Sequence, residues 1–311
     1  MPRGRLVLLG SIVMDVIMTV PQLPERGGDV MASSAQFYPG GGFNVLAAAH
    51  RMGMEVVYGG LIGDGPMGER IREQCLEEHI SCLAREITGA DNGFVMALVE
   101  PDGERTFVTH PGIESQLKPI DLAALTLDIH DVVYVSGYDL LYPVSGPTIL
   151  QFLRLQSRAA RRVVFDPGPL ITDIPIQHLE ELTSQAWIVT ASRRELMQWT
   201  SQETPENALQ CVLQHMPANS WAVLRDGSAG AWLAGKEQVC FVKSRKTVAV
   251  DTTGAGDTHT GVLIARLSDQ ERPCQALWTA NVAASLSVER LGPATCPDRQ
   301  IVEAEINRLR N

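Results

Sequence analysis

Short apolar runs rich in β-branched residues recur along the chain at Leu6 to Leu9, Val56 to Tyr58, Val132 to Val135, Val163 to Phe165, Trp187 to Val189 and Ala222 to Leu224. Runs that are apolar at every position suit strands covered on both faces. Between them lie stretches with helical spacing, at Asn44 to Met52, Met67 to His79, Ile149 to Arg161 and Pro205 to Met216. Strand-helix alternation requires a parallel sheet with helices on both sides. Two segments break the rhythm, residues 16–38 and 94–109, the second centred on Pro101-Asp102-Gly103, a turn between two alternating halves. They predict extra antiparallel strands that project over the sheet edge as a lid. The expected fold is therefore a single α/β domain over residues 1–311, with a central, mainly parallel sheet between helix layers and a small β-sheet lid.

Composition narrows the function classes. Apolar residues make up 45% of the chain and charged residues 20%, enough to bury a sizeable core. A formal net charge of −10 argues against a surface built for nucleic acid or anionic lipid. The apolar run near the start is too brief for a signal-peptide core, and no stretch would span a bilayer. A cytoplasmic location is expected. The six cysteines show no Cys-x-x-Cys pair and no tight cluster, so they are expected to be reduced thiols.

The chemistry is concentrated in Asp251-Thr252-Thr253-Gly254-Ala255-Gly256-Asp257, followed by a helical pattern from Thr258 to Leu267. Gly254 and Gly256 let backbone N–H groups converge at a helix start, which makes an anion site. Asp257 follows at once. Phosphoryl transfer needs donors for the moving group and a base beside the attacking hydroxyl, and this segment holds both. The same residues also fit a tight strand-to-helix connection with Asp257 as a cap. Likewise, Gly40-Gly41-Gly42-Phe43-Asn44 fits a turn ending in an N-cap.

Taken together these segments resemble the ribokinase-type (PfkB-like) family of carbohydrate and nucleoside kinases. The late segment matches that family's signature at Asp251, Thr252, Gly254, Ala255, Gly256, Asp257 and Gly261, and departs at His259 and Val262. The early one matches at Gly40 to Gly42, Asn44, Gly53 and Gly63, and departs at Leu46. The resemblance implies ATP and Mg²⁺, and a small sugar or nucleoside as acceptor. It makes Asp257 the general base and Gly254, Ala255 and Gly256 the anion hole. Asp15, Gly40, Gly41, Gly42 and Asn44 would hold the substrate. Ser192, Glu195, Arg225, Gly227, Gly230 and Asn281 would line the nucleotide, with Glu195 reaching Mg²⁺ through water. Ser192 replaces the family's usual Asn, and Arg225 its usual Thr. Asp251 would sit beside a monovalent cation such as K⁺. A homodimer through the lid is left open, as is a tuning or packing role for His259.

Two rivals belong to other classes. Gly63-Asp64-Gly65-Pro66-Met67-Gly68 fits the Gly-x-Gly-x-x-Gly pattern of a dinucleotide site, hence an NAD-dependent oxidoreductase. The other is a sugar- or nucleoside-binding sensor without chemistry. No phosphate loop ending in Gly-Lys-Ser/Thr occurs, nor a protein-kinase, zincin or serine-hydrolase motif.

Overall fold

The structure is a computed structural model that describes residues 4–83, 86–156 and 162–310. Every apolar run named above forms a strand of one nine-stranded sheet. Across it lie Val239–Lys243, Gly230–Ala234, Trp221–Arg225, Ala186–Ser192, Arg162–Asp166, Val132–Ser136, Leu6–Leu8, Val56–Tyr58 and Ser81–Cys82. Gly230–Ala234 pairs antiparallel with both its neighbours, Val239–Lys243 and Trp221–Arg225, and from Trp221–Arg225 onward all pairings are parallel.

Period-2 alternation explains why the runs are apolar throughout. Leu6, Leu8, Val132, Tyr134 and Val164 enter one core, with helices Gly42–Arg51, Ala255–Ser268, Pro273–Ser287 and Arg299–Arg310. Val7, Leu9, Val133, Val135, Val163 and Phe165 enter the other, with helices Ser145–Leu155, Ile176–Thr183, Arg193–Thr200 and Pro205–Leu213. The expected helix from Ile149 to Arg161 forms as Ser145–Leu155, and residues 157–161 lie outside the described residues.

The two irregular segments make a separate four-stranded sheet in the order Ser34–Gly41, Ile12–Thr19, Phe94–Val99, Arg105–His110. Each segment is an antiparallel pair, but the two central strands run parallel, because two separate hairpins dock side by side. The first hairpin extends from Ile12 to Gly41, wider than expected, so Asp15, Gly40 and Gly41 belong to this small sheet.

One expectation about the cysteines is corrected. Cys240, on the edge strand Val239–Lys243, and Cys274, in the first turn of helix Pro273–Ser287, form a disulfide with Cα atoms 6.2 Å apart. Their spacing of 34 residues carried no signal, because the pair meets only where the helix packs on the sheet edge. Among the described residues, no helix is long and apolar enough to cross a membrane.

Candidate active site

The carboxyl ends of the parallel strands converge with the small sheet, the position where open α/β sheets hold ligands. Strand Ser34–Gly41 turns into helix Gly42–Arg51 through Gly41, whose φ of 62° lies in the left-handed region. The Asp15 carboxylate lies directly against Gly40, where a Cβ would sit only 2.3 Å from its oxygen. In the helix's first turn, Asn44 donates from Nδ2 to Asp257 Oδ2 at 3.0 Å. The two glycine-rich segments, 213 residues apart in sequence, thus meet at one carboxylate.

Asp257 sits in the first turn of helix Ala255–Ser268, which starts at Gly254 with φ of 71°. Ala255 N donates to Thr252 O at 3.3 Å and Thr258 N to Gly254 O at 2.8 Å, so the Gly256 and Asp257 amides stand at the open end of the helix. Burial pushes the Asp257 carboxyl up to about 6, against the Asn44 hydrogen bond, and the nearby Asp166 adds to the rise. Asp15 is pushed up to about 7 by burial and by the Asp257 charge. Two carboxylates that feel each other in one cleft are held near the working range of a base.

Arg225 closes the other side. Its Nη1 donates to Asp166 Oδ2 at 2.7 Å, Thr190 Oγ1 at 2.8 Å and Thr260 Oγ1 at 3.0 Å, and Nη2 lies 3.7 Å from Glu195 Oε2. A Cβ on Gly256 would stand 3.5 Å from Arg225 Nε, so the guanidinium flanks the glycine turn. Burial works to strip its proton, but Asp166 and Glu195 more than hold the charge in place. Ser192 and Glu195 form a reciprocal cap at the start of helix Arg193–Thr200: Ser192 N donates to Glu195 Oε2 at 2.7 Å, and Glu195 N to Ser192 Oγ at 3.3 Å.

Asp166, Thr190 and Thr260 were not singled out in the sequence. Asp166 ends a parallel strand, and that position was the available signal. Tyr138 stands among these groups, its phenol raised to about 12 by burial and then by Glu195, Asp15, Asp257 and Asp166.

Three carboxylates, Asp166, Glu195 and Asp257, face the single guanidinium of Arg225. Both Asp166 oxygens accept from Arg225 and Glu195 Oε2 from Ser192 N, and among the described residues no group of three or more His, Cys, Asp or Glu side chains is arranged to hold a metal ion. Asp251 does not fit a monovalent cation. Its Oδ1 accepts from Arg105 Nη2 at 2.6 Å and from Thr253 N at 2.9 Å and Oγ1 at 2.7 Å, while Oδ2 accepts from Gly292 N at 3.1 Å. The charge that an ion would meet there is already paired.

Other expected residues lie apart from the cluster or are committed to the fold. Asn281 is buried, its Nδ2 donating to Val242 O at 2.8 Å and its Oδ1 contacting His259 Nε2 at 3.1 Å. Burial, then Arg225, lowers His259 to about 3, so its imidazole is neutral and packed. Gly230 has φ of 131° and abuts Val242 O, and Gly227 has φ of 53° with open space beside it. In the rival Gly63 to Gly68 loop, Asp91 accepts from Met67 N at 3.1 Å and Gly68 N at 2.8 Å. Those amides are taken by an internal carboxylate, and a pyrophosphate has no donors left to meet there.

The chain is similar to known proteins over nearly its whole length. The model of the pfkB family carbohydrate kinases matches residues 3–300. An Escherichia coli (strain K12) protein named "Uncharacterized sugar kinase YegV" is 31% identical over 302 residues, covering 96% of this chain and 92% of its own. Ribokinase from Haemophilus influenzae is 26% identical over 312 residues, covering 96% and 97%. The crystal structure of ribokinase from Thermotoga maritima superposes with a TM-score of 0.84 at 23% identity, covering 98% and 99%. The fold is ribokinase-like, and the chain is a sugar kinase. The chain belongs to the pfkB family of carbohydrate kinases.

Proposed function

We propose that this kinase transfers the γ-phosphoryl group of ATP to a hydroxyl of an uncharged sugar or sugar derivative, with Asp257 as general base. The contact that carries this assignment is Asn44 to Asp257 at 3.0 Å, because it puts a hydroxyl-binding amide and a proton acceptor on the same small volume. Asp15, beside Gly40, accepts hydrogen bonds from neighbouring hydroxyls of the acceptor. The backbone of Gly40 to Gly42 allows the ring to approach closely.

As the acceptor oxygen attacks, its proton passes to Asp257. The turn Gly254, Ala255 and Gly256, through the open Gly256 amide, and the flanking Arg225 stabilise the charge on the transferring group. Glu195 would reach Mg²⁺ through water, and the ion would neutralise phosphate charge. Ser192, Gly227 and Gly230 border the nucleotide side. Use of ATP argues for a cytoplasmic location, and exposed Phe107 and Val108 on the edge strand Arg105–His110 favour a lid-to-lid homodimer.

A nucleoside acceptor is the second reading, favoured by Tyr138, whose ring lies beside Gly168 and could stack on a base. The deciding experiment supplies Mg-ATP with pentoses, hexoses, their phosphates and nucleosides, and measures ADP release. Turnover with an unphosphorylated sugar is expected. Turnover with nucleosides alone would favour the second reading, and none with any acceptor would leave only a binding protein.

A further inference from the structure

Arg105 is the first residue of strand Arg105–His110, just past the Pro101-Asp102-Gly103 turn at the tip of the small sheet. Register places it opposite Val99. Residues 95, 97 and 99 share one face, and Val95 stands beside Asp15, which pairs with Tyr38. One face of the lid therefore carries Asp15 near its root and a guanidinium at its tip.

That tip rests on the loop that begins the catalytic helix. The Arg105 to Asp251 pair has side chains only 25% and 12% exposed, so it is shielded more than a surface pair. Asp251 cannot swing away, because Thr253 and Gly292 hold both of its oxygens. Gly254 lies so close to Pro293 that a Cβ would sit 2.2 Å from the proline carbonyl oxygen, and the Tyr38 ring fills the space beside Gly292. Residues 251–254 and 292–293 are thus hydrogen-bonded and closely packed together, and the Gly254 to Gly256 turn continues from them. A carboxylate so poorly solvated needs a positive partner. A second cation on the same oxygen would be repelled by the first.

We propose that Arg105 is a positioning residue for phosphoryl transfer: carried in on the lid tip, its guanidinium pairs with Asp251, sets the Gly254 to Gly256 turn, and takes the place of the monovalent cation that the family resemblance implies. Turnover then needs no added K⁺, and the turn takes its working geometry only under a closed lid. The catalytic part of this inference rests on the kinase function proposed above.

The test compares wild type, Arg105→Ala and Arg105→Lys in KCl and in tetramethylammonium chloride at equal ionic strength. Steady-state kcat and KM are measured in each salt, and amide hydrogen exchange of residues 251–254 is followed in the protein without substrates. Wild type and Arg105→Lys should show the same kcat in both salts. Arg105→Ala should lose roughly 10-fold or more in kcat in tetramethylammonium, with KM for the acceptor less affected, and regain most of it in KCl. Its amides at 251–254 should exchange faster than those of wild type, with an unchanged melting temperature. A wild-type kcat that rises on adding KCl, or an Arg105→Ala kcat equal to wild type in both salts, would overturn the proposal. If wild type phosphorylates no acceptor, the kinase assignment fails on its own; the exchange measurement then decides, and unchanged protection in Arg105→Ala overturns the latch.

Discussion

Gly261 is where the geometry of the two site-bearing helices can be tested without touching the site. It lies in helix Ala255–Ser268 against helix Gly42–Arg51, and a Cβ there would stand 2.4 Å from Val45 O and 2.9 Å from Ala48 Cβ. Carbon atoms need about 3.5 Å, so Gly261→Ala must drive the helices roughly 1 Å apart. Asn44 precedes Val45 on the displaced helix, and its 3.0 Å hydrogen bond to Asp257 would stretch to about 4 Å, outside hydrogen-bond range. Overpacking of this kind costs about 1–3 kcal/mol. A melting temperature lower by about 2–5 °C is expected for a chain of this size. Misplacing the acceptor-binding amide by about 1 Å should lower kcat/KM roughly 100-fold. Thermal unfolding and the coupled ADP assay measure both quantities. The nearest obstacle is a backbone carbonyl, so adding Ala48→Gly should restore little. A Gly261→Ala protein with wild-type melting and turnover would refute the claim that helix approach sets the Asn44 to Asp257 contact.

Asp257→Asn keeps the amides of the turn but removes the proton acceptor, so turnover should fall at least ~100-fold while nucleotide affinity, measured by calorimetry, is retained. Activity and stability should respond to pH in opposite directions. With Asp257 raised to about 6 and Asp15 to about 7, kcat/KM should drop as pH falls through that range, because both groups work as carboxylates. A folded-state Asp15 that binds its proton more tightly than the unfolded value of 3.8 makes its contribution to stability decline as pH rises from about 4 to about 7, where it levels off. Melting curves of wild type minus Asp15→Asn across that range should show this slope, and a difference rising with pH would contradict the burial of Asp15. Arg225→Thr should destabilise the fold by about 3–5 kcal/mol, since Asp166 is left without its guanidinium. Adding Asp166→Asn should recover much of that loss in urea unfolding.

The sheet was legible because its cause is local. A run such as Val163 to Phe165 is apolar at every position only where both faces are covered, and no partner need be known to see it. The glycines of the two signatures were legible for a similar reason: positions such as Gly41 and Gly254 require left-handed backbone, and few other residues supply it. Asp257 could be named because it follows such a turn directly.

What the sequence could not determine is which side chains meet across strand ends and between layers. Arg225 was expected along the nucleotide, and sheet order, which the sequence does not give, brings Asp166 and Thr190 to it from the strands Arg162–Asp166 and Ala186–Ser192. Asn281 was expected along the nucleotide, and only the packing of helix Pro273–Ser287 against the edge strand shows its amide directed to Val242 O. Arg105 reaches Asp251 across 146 residues only because two hairpins dock side by side and carry the tip over the cleft. Backbone preference and apolar periodicity act within a few residues and can be read one segment at a time. Charge pairing and helix approach depend on distances that exist only once all the segments have packed.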